Sequence, residues 1–342
     1  MTENQFIVEL QNALKRLPEE ELNDIIQDIR EYFTNGREDG KSDNEIAASL
    51  GSPQIIAEEL QASYSFSKNE VEVTPINKII TISDNLFTNI DINVNYGAIV
   101  VSPSDSSVTI VELIGWDEKL QLSAEVIEDT LFVRLKGLRH WLFMLHFNFK
   151  AVTLNVMIPM KLYQSIAMKT DNGRISAKKL LAKKIQVNTD NGAVQLIEIA
   201  ATTLSAETDN GRIEIDKVQV EQITAKTDNG RIEMRNVDAV SITTETDNGR
   251  IVLEHVSGSI VGSTDNGRIN VQTDSIDRNM DLQTDNGSIL IESSERAENV
   301  TIHAKTSHGK IDVFGERNSR TVIGAGEHTI RLKSDNGRIT VK

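Results

Sequence analysis

The string Thr-Asp-Asn-Gly recurs along the second half of the chain at nearly fixed spacing, ending at Gly173, Gly211, Gly230, Gly249, Gly267 and Gly287. A copy followed by Ala ends at Gly192, and Ser-His-Gly at Gly309 and Ser-Asp-Asn-Gly at Gly337 are looser relatives. The steps between these glycines are 19, 19, 19, 19, 18, 20, 22 and 28 residues. A period near this length is the signature of a stacked repeat, in which each unit buries its apolar face only against its neighbours. It also lowers the expectation of an enzyme, because the repeated residues are the ones stacking selects.

Within one unit the apolar residues are Ile213, Ile215, Val218, Val220, Ile223 and Ala225, followed by Thr227. Neighbouring units repeat the pattern as Val194, Leu196, Ile199, Ala201, Leu204, Ala206, Thr208 and as Ile232, Met234, Val237, Ala239, Ile242, Thr244, Thr246. Steps of two are strand alternation, and steps of three are corners that bend the chain while the next side chain stays inward. No stretch of the unit carries a helical period. The pattern predicts a mainly β chain built as a β-solenoid, with parallel strands paired coil to coil and a right-handed path by analogy with parallel crossovers.

In this reading the marker string is structural. Asn-Gly is a strong tight-turn signal because both residues tolerate positive φ. The expected turn residues are Asn172, Gly173, Asn210, Gly211, Asn229, Gly230, Asn248 and Gly249, with the asparagines bonded to one another in a ladder. Asp171, Asp190, Asp209, Asp228, Asp247, Asp265 and Asp285 form an acidic row. Arg174, Arg212, Arg231, Arg250, Arg268 and Arg338 form a basic row. Like charges one strand spacing apart repel, so opposite rows side by side are expected to offset each other. Three other roles are conceivable for such rows. Calcium binding lacks the Gly-Gly-x-Gly-x-Asp repeat, and ice binding needs a flat, uncharged Thr face. A charged ladder that docks a protein or polysaccharide is the third.

Net charge is −15, and cysteine is absent, so there is no disulfide framework or thiolate metal site. Residues 1–66 hold 14 Asp and Glu against 5 Lys and Arg, a net of −9. Such an acidic head argues against direct binding of nucleic acid or anionic membrane and suits a basic protein partner. Met1 to Leu10 carries Glu3 and Glu9 without an apolar core, so no signal peptide is read there, and no run of 18 apolar residues exists. The expected location is cytoplasmic.

Residues 4–64 change period. Ile7, Leu10, Leu14 and Leu17 share one helical stripe, and Leu22, Ile25, Ile26, Ile29 and Phe33 another. Pro18-Glu19-Glu20-Glu21 suits a helix start, Ser42-Asp43-Asn44-Glu45 has capping-box spacing, and Ser52-Pro53 opens a last helix. The expected organisation is a helical domain over 1–64, a linker over 65–77, strands over 78–160 that cap or begin the solenoid, and regular coils over 161–342. Gly97 lies 76 residues before Gly173, which suggests earlier coils with degraded sequence. The chain stops on Arg338-Ile339-Thr340-Val341-Lys342, directly on a strand, so the solenoid end is expected to be a contact edge and a site of homodimerisation.

Residues 134–150 stand apart, with Trp141, Phe143, Phe147 and Phe149 between Arg134, Lys136, Arg139 and Lys150. They read as a hairpin packed on the solenoid or cap, with partner docking or membrane contact as alternatives. No catalytic set is visible. None of the histidines forms a helical zinc pair, and neither a Gly-x-Ser-x-Gly motif nor a phosphate-binding glycine loop occurs. The reading is therefore non-enzymatic, with no cofactor and no metal.

Two resemblances add to this. Lys15-Arg16-Leu17-Pro18-Glu19-Glu20-Glu21, Tyr32-Phe33, Gly40-Lys41-Ser42-Asp43-Asn44-Glu45, Leu50-Gly51-Ser52-Pro53 and Ile56-Ala57 together resemble the HAAS domain, a helical signalling module of bacterial proteins. The resemblance implies a protein partner, a transcription regulator of the PadR type, because such modules are often encoded beside one. Val152-Thr153-Leu154-Asn155-Val156-Met157-Ile158-Pro159, Tyr163 and Lys169 to Ile175 are similar to a bacterial β-strand-repeat family labelled adhesin-like, over roughly residues 75–342. Together they imply a regulatory, protein-binding scaffold in envelope-stress or PadR-linked signalling. The alternative is a cell-surface adhesin or polysaccharide-binding protein.

Overall fold

The structure is a computed structural model and describes residues 1–15, 22, 25–26, 29–30, 33–34, 37, 41–57, 77–115, 120–136 and 152–342. The described residues fall into two compact units, a helical one within 1–57 and a β unit within 77–342. The linker expected over 65–77 lies outside the described residues except for Asn77, and so do the helix start at Pro18–Glu21 and the aromatic segment with Trp141, Phe143 and Phe147.

In the helical unit, α1 (Glu3–Ala13) begins at Thr2, whose hydroxyl accepts from the Gln5 amide while the Gln5 side chain accepts from the Thr2 N–H. The same reciprocal box opens α2 (Asp43–Leu50), with Ser42 and Glu45 in the two roles. Each box satisfies donors that the first helical turn leaves without a partner, a gain of about 1 kcal/mol. The Ser42 box is the one the sequence predicts. The Thr2 box carries the same kind of signature, Thr-x-x-Gln. The buried stripe joins Phe6, Leu10 and Leu14 to Ile25, Ile29, Phe33, Ile46, Leu50 and Ile56, and Phe6 meets Phe33 edge-on at 5.8 Å. Arg37 ties the entry of α1 to that of α2 through Glu3 at 2.6 Å and Asp43 at 2.8 Å.

The β unit is a stack of coils whose inward residues are the ones the two-then-three spacing selects. Along Ile213–Thr227, the side chains of Ile213, Ile215, Val218, Val220, Ile223, Ala225 and Thr227 are all buried. Parallel pairing carries this column from coil to coil, Val194 to Ile213 to Ile232 to Ile251. It then continues to Ile269, Ile289 and Ile339. Because most inward positions meet another aliphatic side chain above and below, one continuous aliphatic core runs through the stack. Fully burying each such side chain is worth about 1.5–3 kcal/mol.

Both ends of the stack depart from sequence order. Ile339–Val341 lies between Ile289–Ser293 and Ile311–Val313, parallel to both, and His328–Ser334 likewise lies between Met280–Thr284 and Val300–Thr306. The final strand of the chain is therefore an interior strand, paired on both sides. This corrects the expectation of an open C-terminal edge and removes the ground for homodimerisation there. Of the two segments left outermost, Val300–Thr306 is covered by the antiparallel strand Arg320–Ile323, and Ile311–Val313 is a three-residue strand paired to Ile339–Val341 on one side.

The other end is built the same way. Asn89–Val94 sits between Thr130–Lys136 and Tyr163–Thr170, and Ala98–Ser104 between Thr153–Pro159 and Ile175–Lys178. Gly97 thus stacks directly on Gly173. The 76-residue interval from one to the other is one step in space, not four degraded coils. Antiparallel strands finish this end, Gln121–Ile127 on one sheet and Thr109–Ile114 followed by Lys78–Ile82 on the other. Parallel coils at the centre and antiparallel strands at the ends are a direct answer to the exposed-edge problem of solenoids.

Candidate interaction surface

The Thr-Asp-Asn-Gly corner assigns Thr, Asn and Gly separate tasks. Thr227 is buried, and its hydroxyl donates to the Gly211 carbonyl at 3.1 Å while accepting from the Gly230 N–H at 3.1 Å. Thr189, Thr208 and Thr246 make the same pair of bonds. Asn229 donates from Nδ2 to Asn210 Oδ1 at 2.8 Å, and the ladder runs unbroken from Asn172 to Asn336. It stops where Tyr96 and His308 occupy the same column.

The glycines are needed for a reason other than the one expected. Gly173, Gly211, Gly230 and Gly249 do not lie in the left-handed region. A Cβ on any of them would sit 1.7–1.8 Å from the carbonyl oxygen of the glycine one coil away. The constraint is close approach of backbones, not positive φ. The left-handed corner is elsewhere, at Lys179, Glu198, Lys217, Asn236 and His255, each with φ between 51° and 57°. These non-glycine residues carry a conformational cost that the coil geometry imposes. Their chemical diversity at one repeat position hides the corner from sequence inspection.

The charged rows also differ from expectation. Among the described residues no ion pair joins the aspartate row (Asp171, Asp209, Asp228, Asp247) to the arginine row. Arg212 pairs with Glu214 at 3.2 Å and Arg231 with Glu233 at 3.6 Å, on the strand that follows the corner. Arg235 then bridges Glu233 at 2.5 Å and Glu254 at 2.8 Å. Glu233, only 7% exposed, is held between two guanidinium groups. Arg174 and Arg250 make no ion pair among the described residues.

Chemistry is sparse over the described surface. No group of three or more His, Asp or Glu could hold a metal ion among the described residues. No described helix is long and apolar enough to cross a membrane. What the stack does expose is an apolar strip on its shortest face. Leu181 and Ala200 are outward residues in register, followed by Gln219 and Asp238, and Leu162 precedes Tyr163, the partner of Ala182. Leu162 is 54% exposed, Leu181 47% and the adjoining Met160 76%. With Lys179, Glu198 and Lys217 of the left-handed corner, Met160, Leu181 and Ala200 line an open groove, and Leu162 lines a second one with Leu181 and Ala200. Nothing in the sequence pattern separates these outward residues from core, because an apolar residue at a corner fits either. The helical unit has a smaller counterpart, Val8 at 54% and Ile55 at 44% exposure, beside the Gln54–Glu9 hydrogen bond.

Comparison with known proteins agrees with both units. Residues 5–59 match the HAAS family model and residues 87–342 the model of Toastrack DUF4097. No curated protein matches. Among solved structures, a proposed adhesin from Bacteroides fragilis is 15% identical, covers 78% of this chain and 97% of its own, and has a TM-score of 0.37. A proposed lipid-binding protein from Parabacteroides distasonis is 14% identical over the same shares with a TM-score of 0.49. A proposed adhesin from that organism is 13% identical over 76% of this chain and 98% of its own, with a TM-score of 0.43. With three quarters of its length matched by one model, the chain belongs to the Toastrack DUF4097 family and carries a HAAS domain at its head.

Proposed function

We propose that this chain is a non-catalytic scaffold of bacterial signalling, in which the HAAS head docks a regulatory protein and the coil stack presents a second contact face. The observation that carries the reading is how the repeat uses its polar groups. Thr, Asn and Gly of successive corners spend their hydrogen-bonding capacity on one another, which builds a rigid stack and leaves little for substrate chemistry. The surfaces left over include exposed apolar residues, of the kind docking surfaces use. On the head they are Val8 and Ile55, and on the stack Met160, Leu162 and Leu181.

The favoured partner of the head is a PadR-type transcription regulator, so that DNA contact belongs to the partner. A cytoplasmic location goes with this reading. A photo-crosslinking amino acid placed at position 8 or 55 in the native organism tests it. Adducts with a transcription regulator support the proposal. Adducts confined to cell-wall or surface proteins, with the chain recovered in the wall fraction, contradict it and favour adhesion.

A further inference from the structure

Every rung of the asparagine ladder is followed by glycine, and Asn-Gly is the dipeptide most open to spontaneous deamidation. The glycine nitrogen attacks the asparagine Cγ, the Cγ–Nδ2 bond breaks and ammonia leaves, giving a succinimide. Water then opens the ring to aspartate or isoaspartate. The side chains are solvent-exposed, so water and base have access. We propose that the ladder column is a modification site with a built-in order: the fold protects its interior rungs, deamidation starts at the two ends, and it spreads inward from one end only.

The protection comes from two sets of bonds. An interior rung such as Asn229 donates from Nδ2 to Asn210 at 2.8 Å and accepts at Oδ1 from Asn248 at 2.9 Å. Swinging its Cγ toward the glycine nitrogen breaks both bonds. In addition the attacking nitrogen is occupied in the central coils, since the N–H groups of Gly211, Gly230 and Gly249 each donate to a threonine hydroxyl at 3.1 Å. The end rungs hold less. Asn336 donates to Asn286 at 2.8 Å but accepts from nothing among the described residues. Asn172 accepts from Asn191 at 2.7 Å, while its own Nδ2, the leaving group, has no partner among the described residues.

The direction of spread follows from which atom is lost. Conversion of Asn336 to a carboxylate removes the donor that Asn286 Oδ1 relied on, so Asn286 becomes the new end. Conversion of Asn172 to aspartate leaves an oxygen that still accepts from Asn191, so Asn191 keeps both bonds. Deamidation therefore proceeds from Asn336 to Asn286 to Asn266 and halts at Asn172 on the other side.

The test is to incubate the folded full chain in mildly alkaline buffer and follow each site by peptide mapping with isoaspartate detection, beside a urea-unfolded control. In urea the sites react within a few-fold of one another. In the folded chain Asn336 and Asn172 lead and Asn229 lags by about tenfold or more, the factor that two hydrogen bonds of ordinary net strength supply. Asn336→Asp, and equally Asn336→Ser, which removes the donor without adding charge, accelerates Asn286 several-fold and leaves Asn229 unchanged. Asn172→Asp leaves Asn191 unchanged. Equal rates at Asn229 and Asn336 in the folded chain overturn the proposal. So does Asn286 staying slow in both Asn336 variants, or responding only to the charged one.

Discussion

Gly230 lies so close beneath Gly211 that a Cβ on it would stand 1.8 Å from the Gly211 carbonyl oxygen. The first methyl group is already intolerable there, whatever follows it. Gly230→Ala is expected to cost about 3 kcal/mol or more through forced separation of two coils. Gly230→Val is expected to be little worse. Thermal melts of both variants check this; an alanine variant close to wild type would show that the stack yields locally.

Thr227 supplies one hydroxyl to two backbone groups, the Gly211 carbonyl and the Gly230 N–H. Thr227→Val keeps the shape and strands both groups in the interior, an expected loss of about 2–4 kcal/mol. Thr227→Ser keeps both bonds and sacrifices only a methyl group, about 1 kcal/mol. Chemical denaturation should rank wild type, Ser and Val in that order. Equal stability of the two variants would remove the hydroxyl from the account.

Lys217 is exposed and held at φ 54°. A non-glycine residue there costs about 1–2 kcal/mol, part of which a glycine gives back through greater unfolded-state freedom. Lys217→Gly is therefore expected to stabilise by about 0.5–1 kcal/mol. The same change at Asn236 should gain less, because asparagine already tolerates this region. Melting temperatures that fall in Lys217→Gly would contradict the assignment of the strained corner.

These corners show what could be read in the sequence and what could not. The inward column was legible because Ile213, Ile215, Val218 and Val220 follow a spacing that only one geometry satisfies. The asparagine ladder was legible because identical residues one coil apart can bond to each other. The left-handed corner was not, since Lys, Glu, Asn and His share only a backbone conformation there. Nor was the intercalated last coil. Pairing of Ile339 with Ile289 and Ile311 depends on which coil lies next in space, and the repeat makes all inner columns alike. The apolar strip at Leu162 and Leu181 escaped for a similar reason, because its exposure is decided by the turn of the short face and not by residue type.

Acid should loosen the head. The Arg37 guanidinium, and then the Glu3 backbone N–H, hold the Asp43 carboxyl below its ordinary range, and the Ser42 hydroxyl and backbone N–H do the same for Glu45. A carboxyl held low in the fold stabilises it at pH above the unfolded value, and that contribution is lost as pH falls. Helical circular dichroism should therefore drop as pH falls through 4.5 and 3.8, the ordinary values of the two groups, and further below them. Asp43→Asn should weaken the dependence. Helical signal independent of pH across this range would contradict the role of the Arg37 contacts.

The central claim is that the Thr-Asp-Asn-Gly corners serve the stack while the head does the recruiting. Quantitative co-purification from the native organism, with the full-length chain and two variants, tests it most directly. One variant carries Asp209→Ser, Asp228→Ser and Asp247→Ser; the other carries Val8→Asp and Ile55→Asp, with folding of each verified by circular dichroism. The account predicts that the corner variant enriches the same regulatory partner as wild type and that the head variant loses it. Loss of the partner from the corner variant, with capture intact in the head variant, would contradict it.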